Sequence, residues 1–304
     1  MSDSLDGLLL IDKPTGPTSH DVVQRVRRAS GMRRVGHAGT LDPAARGLLP
    51  LVLGRATRLV RFLPASPKTY RGTLRLGRAT ATDDETGEIV TEHVGPLPPA
   101  LQVAEAARAF LGLQLQVPPA YSARRVGGRR LYRLARQGVV TEAPPAEIEV
   151  MRFDLRATAD PAVYEFTADV SGGTYIRALA RDLGRSLGCG GTLATLVRTR
   201  IGPLDIGEAR SLPEAPDRRW VEDALIGLDQ MPLTPPPVRL ATDESTRRFR
   251  LGSAVLPAGS PPACELLRVL APDGTLLGIA EQRTGELHPK VVLLPVRPEE
   301  REQS

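Results

Sequence analysis

Residues 36–50 read Gly36-His37-Ala38-Gly39-Thr40-Leu41-Asp42-Pro43-Ala44-Ala45-Arg46-Gly47-Leu48-Leu49-Pro50, and the apolar run continues to Leu53. A lone carboxylate therefore sits in a loop of glycine and small residues that feeds directly into an apolar segment. Gly36 and Gly39 are expected to open backbone conformations closed to other residues and to permit close approach of a ligand. Pro43 fixes the backbone after Asp42 and biases Asp42 toward an extended shape, so its carboxylate projects outward. An Asx-type turn is the ordinary reading of a bare Asp-Pro. His37 five residues earlier, the two glycines and the apolar run that follows favour a functional carboxylate.

The rest of the chain supplies a scaffold for this loop. Gly7 to Ile11 is a short apolar run, expected as a buried strand. Pro14, Gly16 and Pro17 turn the chain after Lys13, and on these residues alone Lys13 reads as scaffolding beside the loop. Thr18 with Asp21 starts a helix with Val22, Val23, Val26 and Ala29 on one face. The segment lacks Gly-Lys-Ser/Thr, which excludes a nucleoside triphosphate loop. Residues 68–77 alternate, with Tyr70, Gly72, Leu74 and Leu76 on one strand face. Tyr70 at the strand end is either a core aromatic or a ring placed to stack on a base. Thr80 to Gly87 reads as a polar hairpin turn whose carboxylates are not metal ligands. Pro98-Pro99 starts a helix expected to run through Leu111 and stop at Gly112.

From Ala106 to Thr141 there is no acidic residue, yet Arg124, Arg125, Arg129 and Arg130 surround a Gly127-Gly128 hinge, with tyrosines interleaved. A charge run is usually a solvated face. Here the missing counter-charge and the aromatics favour RNA contact. Ala146 to Thr158 and Ala162 to Val170 read as paired strands, and Ser171-Gly172-Gly173 turns into a helix beginning near Ile176. Arg177 falls off the apolar face of that helix, where it has either a surface salt bridge or a specific carboxylate partner. Leu193 to Ile201 is a further strand. Pro232 to Pro237 marks a boundary, beyond which short strands around Pro272-Asp273-Gly274 suggest a small β-barrel.

A chain of 304 residues is long enough for one large or two modest domains. It has no uninterrupted apolar stretch approaching ~18 residues, so no membrane span is expected. Its start is polar, unlike a secretory signal. Two cysteines and four histidines without ligand spacing give neither a disulfide framework nor a metal site. A cytoplasmic protein without metal or cofactor is expected. The net charge of +5 permits nucleic acid without requiring it.

Gly-His-x-Gly-x-Leu-Asp-Pro followed by Gly-x-Leu-Pro resembles the signature of the TruB family of tRNA pseudouridine synthases. Lys13-Pro14-x-Gly16-x-Thr18-Ser19, the Lys68–Gly77 strand, Gly173-Thr174-Tyr175-Ile176-Arg177 and the C-terminal strands match in the same order. Ala38 and Ala44-Ala45-Arg46 depart from the usual residues. Val197 replaces a usual Arg, whose phosphate contact would then be missing or fall to Arg198 or Arg200. The resemblance implies an α+β fold: a mixed, mainly antiparallel sheet with flanking helices and a small C-terminal β-barrel of PUA type. It implies a catalytic domain over 1–231 with a thumb insertion at about 118–143, an RNA-binding module over 238–297, and a tail at 298–304. It implies isomerisation of the uridine at position 55 in the T-arm of tRNA, with Asp42 as nucleophile. Arg177 would pair with Asp42, and Tyr70 would lie against the uracil. His37, Tyr175 and Leu196 would contact the nucleotide. Lys13, Arg124, Arg125, Arg129 and Arg130 would face RNA. No cofactor, metal or obligate protein partner is implied, and the enzyme would act as a monomer. A non-catalytic RNA-binding protein is one rival reading, and Asp42 with Arg177 argues against it; an enzyme of the same chemistry that needs a guide RNA is the other.

Overall fold

The computed structural model describes residues 5–121, 125–126, 129–130 and 143–293. Its centre is a large mixed sheet. The main path runs Arg210–Ser211, Gly7–Lys13, Arg46–Leu53, Gly191–Ile201, Lys68–Leu76, Val163–Val170, Ala146–Ala157 and Gly112–Gln116. Neighbours along it are antiparallel except Arg210–Ser211 with Gly7–Lys13 and Arg46–Leu53 with Gly191–Ile201, which are parallel.

The continuous apolar run at Leu8 to Ile11 follows from burial on both faces. Leu8 and Leu10 pack with Leu59 and Phe62 of the 3-10 helix Gly54–Phe62. Leu9 and Ile11 pack with Val22, Val23 and Val26 of the helix Ser19–Ser30. A strand covered on both sides loses the usual polar alternation. That helix begins on a capping box between Thr18 and Asp21 and ends at Gly31. Across the sheet, Leu74, Tyr164 and Phe166 alternate inward against Leu179, Ala180 and Leu183 of the helix Ile176–Ser186. Each such fully buried side chain contributes roughly 1.5–3 kcal/mol.

Several boundaries differ from the expectation. The helix after Pro99 spans Ala100–Arg108 and then tightens, with Ala109, Phe110 and Leu111 each bonding three residues back. Gly112, at φ +93°, redirects the chain into the sheet-edge strand before a longer helix can form. Gly36 lies in the short strand Val35–His37 and needs no special backbone, whereas Gly39 has φ +101°.

The C-terminal part is a four-stranded sheet in the order Pro237–Arg239, Leu266–Leu270, Leu276–Arg283, Glu286–Val292. A helix, Asp243–Arg250, packs Phe249 against Leu267, Val269 and Leu287. Its charged sequence hid it, since few of its side chains are buried. The other sheet face, through Leu276, Ile279 and Val291, joins the core of Leu8, Leu48 and Leu59. Asp229 Oδ1 accepts from the Leu276 N–H at 2.7 Å across this junction.

Candidate active site

The Gly39–Asp42 loop is held from three sides. Ser19, at the start of the first helix, donates to the Leu41 carbonyl at 2.9 Å and accepts from the Leu41 N–H at 2.8 Å. The Gly16 N–H donates to the Pro43 carbonyl at 2.8 Å. From the third side comes Arg198, only 1% exposed. It donates to the carbonyls of Gly39 at 3.0 Å, Thr40 at 3.2 Å and Leu48 at 2.9 Å. Gly47 is required beside it: φ is +107°, and a Cβ there would meet the Arg198 carbonyl oxygen at 2.4 Å. Arg198 therefore cannot reach a phosphate, which corrects one of the two substitutes proposed for the Arg replaced by Val197. It is a positioning residue that sequence reasoning missed. Arg200 sits exposed on Asp205, with a contact of 3.1 Å.

The RNA-facing assignment of Lys13 is also corrected, in favour of its reading as scaffolding. Lys13 is 0% exposed, and its Nζ donates to the carbonyls of Pro14 and Pro17 at 2.8 and 2.9 Å. It holds the turn under the loop and does not face RNA. Burial pushes its pKa down to about 8; Asp42 opposes this and Arg198 adds to it. The penalty on charged Lys13 is fully present below about pH 8 and is relieved as pH rises toward the unfolded value near 10.5. Over that window Lys13 should add an upward slope to stability amounting to about 3 kcal/mol. Urea unfolding of Lys13→Met against wild type checks this, since wild-type stability minus the variant's should rise by about 3 kcal/mol from pH 8 to 10.5. A constant difference would refute it.

Asp42 opens into a cleft of about 240 Å³ lined by Lys68, Tyr70, Tyr175, Arg177 and Leu196 among others. Its side chain is 46% exposed, and its Oδ2 lies 3.0 Å from Arg177 Nη2. The two residues expected to pair are thus brought together from opposite ends of the catalytic region. Arg177 is not on the surface: its side chain is 7% exposed. It lies off the apolar helix face because its partners are polar. Nη1 donates to the Thr82 carbonyl at 2.9 Å and faces Asp84 Oδ2 at 3.4 Å, while Nη2 also donates to the Tyr121 carbonyl at 2.9 Å.

Asp84 was not singled out by sequence. The 80–87 turn is a hairpin between Arg78–Thr80 and Ile89–Glu92, as its composition suggested. Its tip docks on the Gly191–Ile201 strand, through Glu85 N–H to Leu193 O at 3.0 Å and Leu193 N–H to Asp83 O at 3.0 Å. Asp84 Oδ1 accepts from Thr82 Oγ1 at 2.7 Å and the Thr86 N–H at 3.0 Å, which leaves Oδ2 toward Arg177. Gln116 is a second omission. Buried at the sheet edge, it accepts from the Tyr175 N–H at 2.9 Å and donates to the Tyr175 carbonyl at 3.1 Å. That reciprocal pair orients the residue before the helix carrying Arg177.

Tyr70 and Leu196 line the cleft from adjacent strands. His37 does not line it; it stands half-buried in the strand leading to the loop, with Nδ1 buried and without a partner among the described residues. Burial, then Arg198 and His20, lower its pKa and favour the neutral ring. Of the arginines assigned to RNA, Arg124 lies outside the described residues. Arg125 and Arg129–Arg130 pair as backbone in a two-stranded hairpin. The 298–304 tail also lies outside them.

A family model described as "TruB family pseudouridylate synthase (N terminal domain)" matches residues 27–176, and one described as "Pseudouridine synthase II TruB, C-terminal" matches residues 236–293. The protein named tRNA pseudouridine synthase B of Thermobifida fusca (strain YX) is 43% identical over 299 residues, covering 94% of this chain and 98% of the relative. The chain belongs to the TruB family. The protein of the same name from Arthrobacter sp. (strain FB24) is 39% identical, over 96% of this chain and 97% of its own length. Among solved structures, a Cbf5–Nop10–Gar1 complex matches with TM-score 0.70 at 23% identity, covering 96% of this chain and 86% of that one. At that identity the likeness shows the fold: an α+β pseudouridine synthase architecture. As a member of this family the protein is an enzyme, an isomerase that converts uridine to pseudouridine. No helix among the described residues is long and apolar enough to cross a membrane.

Proposed function

We propose that this enzyme acts on the uridine at position 55 in the T-arm of tRNA, with Asp42 as the nucleophilic carboxylate. The observation that carries the reading is the Asp42–Arg177 ion pair at 3.0 Å, opening into a cleft walled by Tyr70, Tyr175 and Leu196. Binding RNA phosphates needs no carboxylate, so the pair argues for chemistry over RNA binding alone. The cleft, at about 240 Å³, falls below the ~300–1,000 Å³ of drug-sized ligand sites and suits one base.

A T-arm uridine is stacked in folded RNA, so it must be flipped out at a cost of roughly a few kcal/mol. Aromatic and apolar walls replace the lost stacking. The N1–C1′ bond then breaks, the uracil turns, and C5 bonds to C1′. C5 gives up its proton and N1 gains one, so the reaction needs no redox partner, hydrolytic water or group donor. Arg177 aims Asp42, and a guanidinium suits this because its planar fork serves several acceptors at once. The enzyme acts as a cytoplasmic monomer and needs no obligate protein partner.

The test is tritium release from a tRNA transcript labelled at uridine C5, with no guide RNA or protein added. Release of about one equivalent per tRNA is expected, and no release would sink the reading. The basic segment at about 118–143 is assigned to contact with the RNA arm on its acid-free run of arginines. Replacing Arg124, Arg125, Arg129 and Arg130 by Gln should weaken tRNA binding and flatten the slope of log affinity against log salt, by up to ~0.9 per lost phosphate contact. An unchanged slope would return the segment to a solvated face.

A further inference from the structure

Two cations line the cleft, Arg177 and Lys68. Arg177 is committed to the protein. Its two Nη groups donate to the carbonyls of Thr82 and Tyr121 and sit in ion-pair contact with Asp42 and Asp84. Both ends of the fork are thus engaged within the protein. Two other buried cations near the loop are committed as well, Arg198 and Lys13, each to backbone carbonyls.

Lys68 differs. It begins the Lys68–Leu76 strand, two residues before Tyr70, so both side chains leave the same strand face into the cleft. Its ammonium has no hydrogen bond or ion pair among the described residues. It is half-buried, and burial, with Arg198 behind it, lowers its pKa. A protein gains no stability from a desolvated ammonium without an acceptor. Such a group fits a site whose acceptor arrives with the substrate.

The chemistry supplies that acceptor. When N1–C1′ breaks, the bonding pair stays on the uracil and spreads to O2 and O4. The charge is discharged when C5 bonds C1′ and the proton balance passes from C5 to N1. Asp42 is itself an anion and the Nη groups of Arg177 are engaged by protein acceptors, which leaves Lys68 as the cleft cation without a protein acceptor among the described residues. We propose that Lys68 is a catalytic residue that donates to a uracil carbonyl oxygen and stabilises the negative charge developing on the detached ring. This rests on the pseudouridine synthase reading given above. A preorganised donor aimed where charge develops acts mainly on the transition state.

The experiment measures single-turnover rates on tRNA transcript, tRNA Kd at two salt concentrations, and melting temperature for wild type, Lys68→Met, Lys68→Gln and Lys68→Arg. Lys68→Met should slow turnover by about 10²–10³-fold, the usual loss for one donor to a developing anion. Its Kd should stay within about threefold and its salt slope should not change. Lys68→Arg, which restores a cation, should recover the rate to within about tenfold of wild type. If Lys68→Met melts before assay temperature, Lys68→Gln carries the comparison. A folded neutral variant at wild-type rate overturns the proposal. So does a loss confined to Kd with a slope reduced by about one, which would make Lys68 a phosphate contact. So does Lys68→Arg as slow as Lys68→Met at equal melting temperature. Wild type inactive on the transcript would instead sink the functional reading, before Lys68 is at issue.

Discussion

Asp42→Asn is expected to abolish pseudouridine formation while leaving tRNA affinity within about tenfold, or ~1.4 kcal/mol. The substitution is nearly isosteric, and an amide is not the nucleophile a carboxylate is. The fold should tolerate it. The Asp42 side chain is 46% exposed, and ion pairs with an exposed member contribute ~0–1 kcal/mol. The loop is held by Ser19, Gly16 and Arg198 through backbone groups, none of which involve the Asp42 carboxylate. Tritium release and filter binding on the same preparation check both halves. Turnover above a few per cent of wild type would show that another group carries the chemistry. A collapse in affinity would show that Asp42 binds rather than reacts.

Arg177→Met should also end turnover, for a different reason and with a stability cost. Arg177 joins Asp42, the docked 80–87 turn, and the Tyr121 carbonyl, from within the protein. Its loss leaves Asp84, whose side chain is 12% exposed, facing apolar Met without a counter-charge. Removing one partner of a buried pair costs about 3–5 kcal/mol. The lower end applies here, because Thr82 and Thr86 still donate to Asp84. Arg177→Lys should recover stability in part but not activity, since one ammonium cannot span four acceptors. Urea unfolding should place Met below Lys and Lys below wild type, with both variants at least ~10²-fold slower in single turnover. Arg177→Lys at near wild-type rate would reduce the residue to a generic charge. Adding Asp84→Asn to Arg177→Met should restore part of the lost stability and none of the activity, which separates the structural half of the cluster from its catalytic half.

The parts of this protein legible in its sequence are those whose chemistry is local. The Gly39–Pro43 loop shows itself through glycine and proline, which restrict the backbone wherever they stand. The Lys68–Leu76 strand shows itself through alternation, and the Ser19–Ser30 helix through its Thr18–Asp21 cap. Asp42, Tyr70, Tyr175, Arg177 and Leu196 were assigned together from motif order, and the fold brings all five to one cleft. Their meeting was implied by the family resemblance, which pairs Arg177 with Asp42 and sets Tyr70, Tyr175 and Leu196 about the base.

What only the tertiary structure decided is the fate of the buried polar residues. Arg198 carries charge and reads as an RNA-facing group, and Lys13 reads either as scaffolding beside the loop or as RNA-facing. Both are buried because backbone carbonyls accept from them, and carbonyls carry no mark in a sequence. For Arg198 those acceptors lie far back in the chain, at Gly39, Thr40 and Leu48. Asp84 and Gln116 were hidden for the same reason, since each works through a partner that folding alone brings near. Desolvating a polar group is unfavourable unless every donor finds an acceptor. Whether it does is settled by the strand register that lays Arg198 beside Gly47, and not by any property of Arg198 itself.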